Sequence, residues 1–177
     1  MKKRVETKMQ HTEKRYLPEF VYGGIDGSVT TFAVVTGAIG ASLSSSIILI
    51  LGFANLFADG FSMAVSNYLS TKSKNDLQKT QERHPLKVAF ATFLAFIIIG
   101  FIPLLSFVIS PLSSFINENK FLISFFLTGA SLLIIGLIKG KIVKKHPIKA
   151  AIETLLIGGI AAIIAFLIGY FLRGLVQ

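Results

Sequence analysis

The stretch IKAAIETLLIGGIAAIIAFLIGYFL, at residues 148–172, is a mainly apolar run. A helix needs about 20 mainly apolar residues to cross the hydrocarbon core of a bilayer. This run therefore predicts a membrane-spanning helix, and the number of such runs in the chain decides the fold.

Four further stretches have the same character. The predicted spans are residues 20–41, 45–69, 87–109, 121–138 and 148–172. The 177-residue chain is 53% hydrophobic and 15% charged, whereas soluble domains are roughly 45–50% apolar and about 25% charged. The sequence predicts an all-α, polytopic membrane protein, with a five-helix transmembrane domain at residues 17–177 after a basic cytoplasmic tail at residues 1–16.

Basic residues lie in alternate loops. Of the eighteen Lys and Arg residues, six lie in the tail, five at positions 72–87 and five at 139–149. Because cytoplasmic loops are enriched in Lys and Arg, this pattern predicts five spans and a cytoplasmic N-terminus. The expected location is the cytoplasmic membrane of a prokaryote.

The same pattern explains the net charge of +9 without nucleic-acid binding. The basic tail is interpreted as an orientation and lipid-headgroup signal.

Two aspartates, Asp26 and Asp59, lie inside predicted spans, where ionisable groups are costly and usually functional. No Lys or Arg lies deep in a span, so each desolvated carboxylate must take up a proton or receive a cation. Alternation between these two states is the chemistry of proton-coupled cation exchange. In the structural alternative, Asp26 hydrogen-bonds a kinked backbone and Asp59 bridges helices through Ser or Thr.

Helical spacing places further candidate ligands near these carboxylates. Glu19 precedes Asp26 by seven residues, about 10 Å along one helix face. This spacing predicts that Glu19 is an ion-binding position near the cytoplasmic entrance of the path. The second span carries a stripe of candidates at Asn55, Asp59, Met63 and Asn67, with Ser62 beside it. The oxygen ligands suit hard divalent cations, and the Met63 thioether favours iron or manganese over magnesium or calcium. In the alternative interpretation, Met63 only fills a gap in the core.

Other residues allow more than one interpretation. Glu153 follows Pro147 early in the last span, where an acid suits the helix dipole but also fits a place at the entrance. Gly23 and Gly27 form a small-residue pair that predicts close helix approach and a dimer. Glycine beside Asp26 equally fits a bent or broken helix whose carbonyls face an ion.

Catalytic chemistry is not predicted. The chain has no Cys, and its His and Ser residues form no paired-histidine or Ser-His-acid set at a common depth. We therefore expect neither an enzyme nor a resident cofactor.

The motif YGGIDGSVTTFAVVTG, at residues 22–37, resembles the first span of the vacuolar iron transporter family. The similarity continues in GASLSSS at 40–46, in ADGFSMA at 58–64 and in NYLS at 67–70, and more weakly at 85–103 and 153–169. The sequence is identified as a short-form member of this family.

The resemblance implies a homodimer whose ion path is lined by the first two spans of each subunit, exchanging cytosolic ferrous or manganous ion for protons. Asp26 and Met63 match the family's ligands in that path, and Glu19 matches an acidic position toward its entrance. Two features of the sequence depart from the family pattern. A linker with Asp76 and Glu82 replaces the glutamate-rich metal-binding domain of iron-storing members, and Asn55 stands where some members carry an acid.

The expected function is export of iron or manganese from the cytosol by proton antiport. The expected partners are divalent metal ions, protons, the lipid bilayer and a second copy of the chain, and not nucleic acid. The alternative is a non-transporting membrane scaffold that retains the family fold, and the presence of Asp26 and Met63 argues against it.

Overall fold

A computed structural model describes residues 2–79 and 83–176, and the side chains at 16–79 and 83–175. All secondary structure in these ranges is helical, which confirms the prediction of an all-α fold. The helices are α1 (Lys2–Gly40), α2 (Ser45–Gln78), α3 (Pro85–Gly100), α4 (Ile102–Ile109), α5 (Ser114–Ile142) and α6 (Pro147–Val176), with a 3-10 turn at Ser110–Leu112 between α4 and α5.

Three of the helices, α2, α5 and α6, are long and apolar enough to cross a bilayer. Taken together, α3 and α4 are also long and apolar enough to cross a bilayer, but there is a bend of 44° between them, as in a broken span or a re-entrant loop. By length and composition, the described residues thus form an integral membrane protein with three spans, or four if the bent pair is one. The count of five spans stays a prediction.

The first helix, α1, does not meet the same criterion within the described residues, because Asp26 and many glycine and hydroxyl residues interrupt its apolar sequence. It is instead the central helix and contacts all five other α-helices. Its backbone is helical from Lys2, so the predicted tail continues directly into α1. The basic side chains of that tail, and Glu82 of the linker, lie outside what the structure describes.

The predicted span at 87–109 is broken after Gly100. Pro103 lies in the first turn of α4, where its ring removes a backbone N–H from the helical ladder. Two serines tie α4 to α5 at this bend: Ser124 donates to the Pro103 carbonyl oxygen at 2.7 Å, and Ser106 donates to that of Lys120 at 2.8 Å. The predicted span at 87–109 is thus formed by two helices, α3 and α4, with a bend of 44° between them.

The glycine pair on α1 packs within the chain. A Cβ on Gly23 would lie 2.5 Å from the Thr92 carbonyl oxygen, and one on Gly27 would lie 2.5 Å from that of Phe96. The pair therefore lets α1 and α3 approach closely, and it does not support a dimer contact. α1 is also continuous through Asp26, so the interpretation as a broken helix is wrong.

Replacing Gly27 by Ala is expected to destabilise the fold by about 1–3 kcal/mol, the usual cost of overpacking. The new methyl group would meet the α3 backbone, which cannot rotate away. Gly159→Ala is the matched control, because a Cβ there meets no atom within 4 Å. Thermal unfolding in detergent measures both variants, and a wild-type midpoint for Gly27→Ala would contradict the close packing of α1 on α3.

Candidate functional site

Asp26 and Asp59 lie on neighbouring helices at equal distances from the turn that joins them. This turn, at residues 41–44, is formed by Ser42 in the left-handed region with φ of 59° and by Ser44, which caps α2 by accepting the Ile47 N–H. Asp26 lies fifteen residues before the turn and Asp59 fifteen after it. The two carboxylates are close enough for their charges to interact.

Neither carboxylate has a side-chain hydrogen bond or ion pair among the described residues. Within the described residues, hydrogen bonds engage only the backbone of Asp26, whose carbonyl oxygen accepts from the Thr30 hydroxyl at 2.8 Å. The Asp59 side chain takes part in no hydrogen bond or ion pair in that part of the chain. The contacts that the structural alternative requires, to a kinked backbone or to a bridging hydroxyl, are thus not found among the described residues.

Asp26 also lines a cavity of about 390 Å³ between α1 and the end of α5. Its wall includes Pro18 and Tyr22 of α1 and Lys139 of α5. Lys139 belongs to the basic segment that the positive-inside rule places in the cytoplasm, so the cavity lies between Asp26 and the predicted cytoplasmic side. Sequence reasoning missed Lys139, because spacing along one helix does not indicate which other helix packs beside it.

The α2 stripe continues beside Asp59. Met63 follows by four residues, on the same helix face, and is half-buried. The Asn55 side-chain nitrogen is buried and has no hydrogen-bond partner among the described residues. Asn55 and Met63 thus lie one helical turn before and one helical turn after Asp59 on the same face of α2.

The secondary candidates make other contacts. Asn67 donates to the Thr92 hydroxyl at 2.8 Å and ties α2 to α3, and Ser62 is exposed. Glu153 is 61% exposed and forms an ion pair with Lys139 at 3.7 Å. Glu153 lies beyond the first turn of α6, and its helix-dipole interpretation stays a prediction.

Glu19 is held by an arginine. Nη1 and Nη2 of Arg83 donate to the two carboxylate oxygens of Glu19 at 2.6 and 2.7 Å, in the bidentate arrangement typical of strong arginine–carboxylate pairs. The Glu19 side chain is 13% exposed and that of Arg83 is 35% exposed. Sequence reasoning identified Glu19 but missed Arg83, which lies 64 residues away.

The described residues contain no group of three or more His, Cys, Asp or Glu side chains placed to hold a metal ion. The side chains that do come together are the carboxylates of Asp26 and Asp59, with the Met63 thioether one helical turn from Asp59. Any ion at this site is therefore held in part by groups other than these.

The chain matches a known family over most of its length. The model of the VIT family matches residues 17–84 and 77–170. The chain belongs to the VIT family. The matched segments include Asp26, Asp59 and Met63, together with the Glu19–Arg83 pair, and the match confirms the resemblance seen in the sequence.

Curated relatives in the VIT family align with nearly the whole chain. The vacuolar iron transporter of Plasmodium berghei is 26% identical over 91% of this chain and 84% of its own length. Vacuolar iron transporter 1 of Arabidopsis thaliana is 26% identical over 88% of each chain. Vacuolar iron transporter homolog 4 of Arabidopsis thaliana is 28% identical over 90% of this chain and 85% of its own.

VIT-family relatives differ from this chain in length. The alignment with the Plasmodium berghei protein extends over 229 positions, more than the 177 residues of this chain, whereas the homolog 4 alignment extends over 175. The two matched segments meet at residues 77–84, between α2 and α3. These observations agree with a short form of the family whose α2–α3 linker stands in place of an insertion.

Proposed function

We propose that this chain carries divalent metal ions, iron or manganese, out of the cytosol in exchange for protons. The observation that carries the proposal is the presence of two carboxylates, Asp26 and Asp59, on adjoining helices α1 and α2 of a VIT-family chain, each fifteen residues from the turn that joins the helices. Relatives in that family are named vacuolar iron transporters, which supports metal ions as the transported species.

The proposed exchange follows from the electrostatics of two carboxylates within a membrane protein. When both are ionised, they repel each other and lack the solvation that water provides. A divalent cation bound by Asp26 and Asp59 compensates both charges, and proton uptake at the site after the cation leaves relieves the repulsion between them. Alternate binding of metal and proton thus avoids a bare pair of half-buried charges.

A homodimer completes the proposed site. Octahedral coordination, which suits manganese, needs more ligands than Asp26, Asp59 and Met63 of one chain supply. We propose that water and the same residues of a second copy provide the remainder, with α1 and α2 of each subunit lining the path as the family resemblance implies. Asn55 makes this path less negative than that of members with an acid at its position.

The cavity beside Asp26 supports entry of the ion from the cytosol. Lys139 in its wall belongs to a basic segment that the positive-inside rule assigns to the cytoplasm. We propose the corresponding topology for residues 17–177, with five spans, a cytoplasmic N-terminus and a location in the cytoplasmic membrane of a prokaryote. Metal then reaches Asp26 from the side on which the basic loops lie.

Metal uptake by proteoliposomes tests the proposed function. The purified protein is reconstituted and offered ferrous, manganous, cobalt, zinc and magnesium ions separately, with protein-free liposomes as the control. Saturable uptake of iron or manganese is expected. If a folded protein moves none of these ions, the proposal fails and a non-transporting scaffold is favoured.

Replacing Met63 by Leu is expected to weaken selectivity for iron over magnesium about fivefold. This factor corresponds to the loss of about 1 kcal/mol of interaction between the ion and its ligand. The substitution nearly conserves side-chain volume but removes the soft sulfur ligand that magnesium does not need. The ratio of ferrous to magnesium uptake at equal concentration measures the effect, with thermal unfolding as the check on folding. An unchanged uptake ratio in a folded variant would show that Met63 only fills space in the core and does not bind the ion.

A further inference from the structure

Arg83 lies in the linker between α2 and α3, and contacts with two helices fix its position. Asn75 of α2 donates to the backbone carbonyl oxygen of Arg83 at 2.7 Å. The His84 N–H donates to the Tyr16 hydroxyl of α1 at 3.4 Å, and the Tyr16 ring centroid lies 5.9 Å from the guanidinium carbon. Arg83 and His84 are thus held against both α1 and α2, with the guanidinium directed at α1.

On α1 the guanidinium engages both carboxylate oxygens of Glu19, at 2.6 and 2.7 Å. A metal ion that binds Glu19 uses these same oxygens as ligands. Because the Glu19 side chain is only 13% exposed, there is little room for a second cation beside the arginine. Arg83 and a metal ion therefore compete for one carboxylate.

In the proposed topology, the Glu19–Arg83 pair lies on the cytoplasmic side of Asp26. Glu19 precedes Asp26 by seven residues, about 10 Å along α1 toward its N-terminal end. The two segments that match the VIT family overlap at residues 77–84, so the linker that carries Arg83 lies where these segments join. This linker supplies a cation at the level of the entrance carboxylate.

We propose that Arg83 is an internal competitor of the transported metal: it occupies Glu19 at rest, and the incoming ion must displace it. The competition lowers the apparent affinity of the entrance for metal. It also favours divalent over monovalent ions, because only the higher charge attracts the carboxylate more strongly than the guanidinium does at equal distance. The inference rests on the proposed transport function and adds to it a residue that sets metal affinity.

Substitutions of the two partners are expected to act in opposite directions. In proteoliposomes with the full-length protein, Arg83→Gln should lower the KM for Mn²⁺ about fivefold, the scale of a partly exposed ion pair. Glu19→Gln should raise the KM by a similar factor, because the entrance ligand is lost. A purely structural ion pair predicts the same effect for both variants, since either substitution breaks the same contact.

Two further variants serve as controls. Lys87→Gln removes an exposed positive charge near the start of α3 and leaves the Glu19–Arg83 pair intact, so the KM should not change. This variant separates competition at Glu19 from a general change in surface potential. Arg83→Lys keeps the charge but loses the planar fork and should lower the KM by less than Arg83→Gln, which preserves the test if the glutamine variant does not fold.

The results separate this inference from the function on which it rests. Shifts of the same sign for Arg83→Gln and Glu19→Gln, no shift in either, or an equal shift in Lys87→Gln would overturn the competition while wild-type flux still supports transport. If the wild-type protein carries no Mn²⁺ or iron, the proposed function fails, and the inference fails with it.

Discussion

Asp26→Asn abolishes metal flux in the proposed mechanism, with an expected loss of at least about 100-fold in kcat/KM. The amide has the shape of the carboxylate but no charge, so it cannot compensate a divalent ion in a poorly solvated site. A 100-fold loss corresponds to about 2.8 kcal/mol, which is near the upper end of the range of about 1.5–3 kcal/mol for one interaction with a charged group. Initial rates of Mn²⁺ uptake into proteoliposomes measure it.

The matched control for this variant is Asp76→Asn. Asp76 is exposed near the C-terminal end of α2, so its substitution removes the same charge far along the chain from Asp26. Asp76→Asn should transport at the wild-type rate. Wild-type flux in Asp26→Asn would show that ions do not pass this carboxylate, and the assigned path would then be wrong.

Asp59→Asn is expected to reduce flux at least about tenfold, which is the scale of one lost charge-assisted ligand contact. The loss is smaller than for Asp26, because Asp26 still binds the ion and lines the cavity. Asp59→Glu keeps the charge and should restore part of the flux. Equal flux in Asp59→Asn and wild type, or equally poor flux in both variants, would show that the Asp59 charge does not act on the ion.

Much of the helical architecture follows from hydropathy. The runs at 45–69, 121–138 and 148–172 lie within α2, α5 and α6, because a segment that crosses a bilayer must be apolar over about 20 residues. The helices extend beyond these runs, and α2 continues to Gln78. Hydropathy underestimates the length of such helices, because their final turns are polar although the backbone hydrogen bonds of the helix continue through them.

The packing of the helices was less accessible from the sequence. Gly23 and Gly27 indicated a close helix approach, but not that α3 is the partner. The bend near Pro103 was missed because the proline lies within an apolar run that passes as a single span. Both features depend on which helices meet, and hydropathy along one chain carries no information about that.

The candidate site also has features that the sequence predicts and features that it does not. The match in depth between Asp26 and Asp59 is predictable, because two helices joined by a short turn bring residues at equal distances from it to the same level. The ion pairs of Glu19 with Arg83 and of Glu153 with Lys139 are not, since each joins different helices or linkers through tertiary contacts. Sequence reasoning therefore found the carboxylates but missed their cationic partners.

Coupled measurement of metal and proton movement tests the central claim most directly. Proteoliposomes with a pH-sensitive dye inside receive external Mn²⁺, and metal uptake and internal pH are recorded together for wild type and Asp26→Asn. Antiport through Asp26 predicts that the internal pH rises in step with Mn²⁺ uptake in wild type, and that neither changes in the variant. Mn²⁺ uptake with no change of internal pH, or uptake that persists in the variant, would contradict the account.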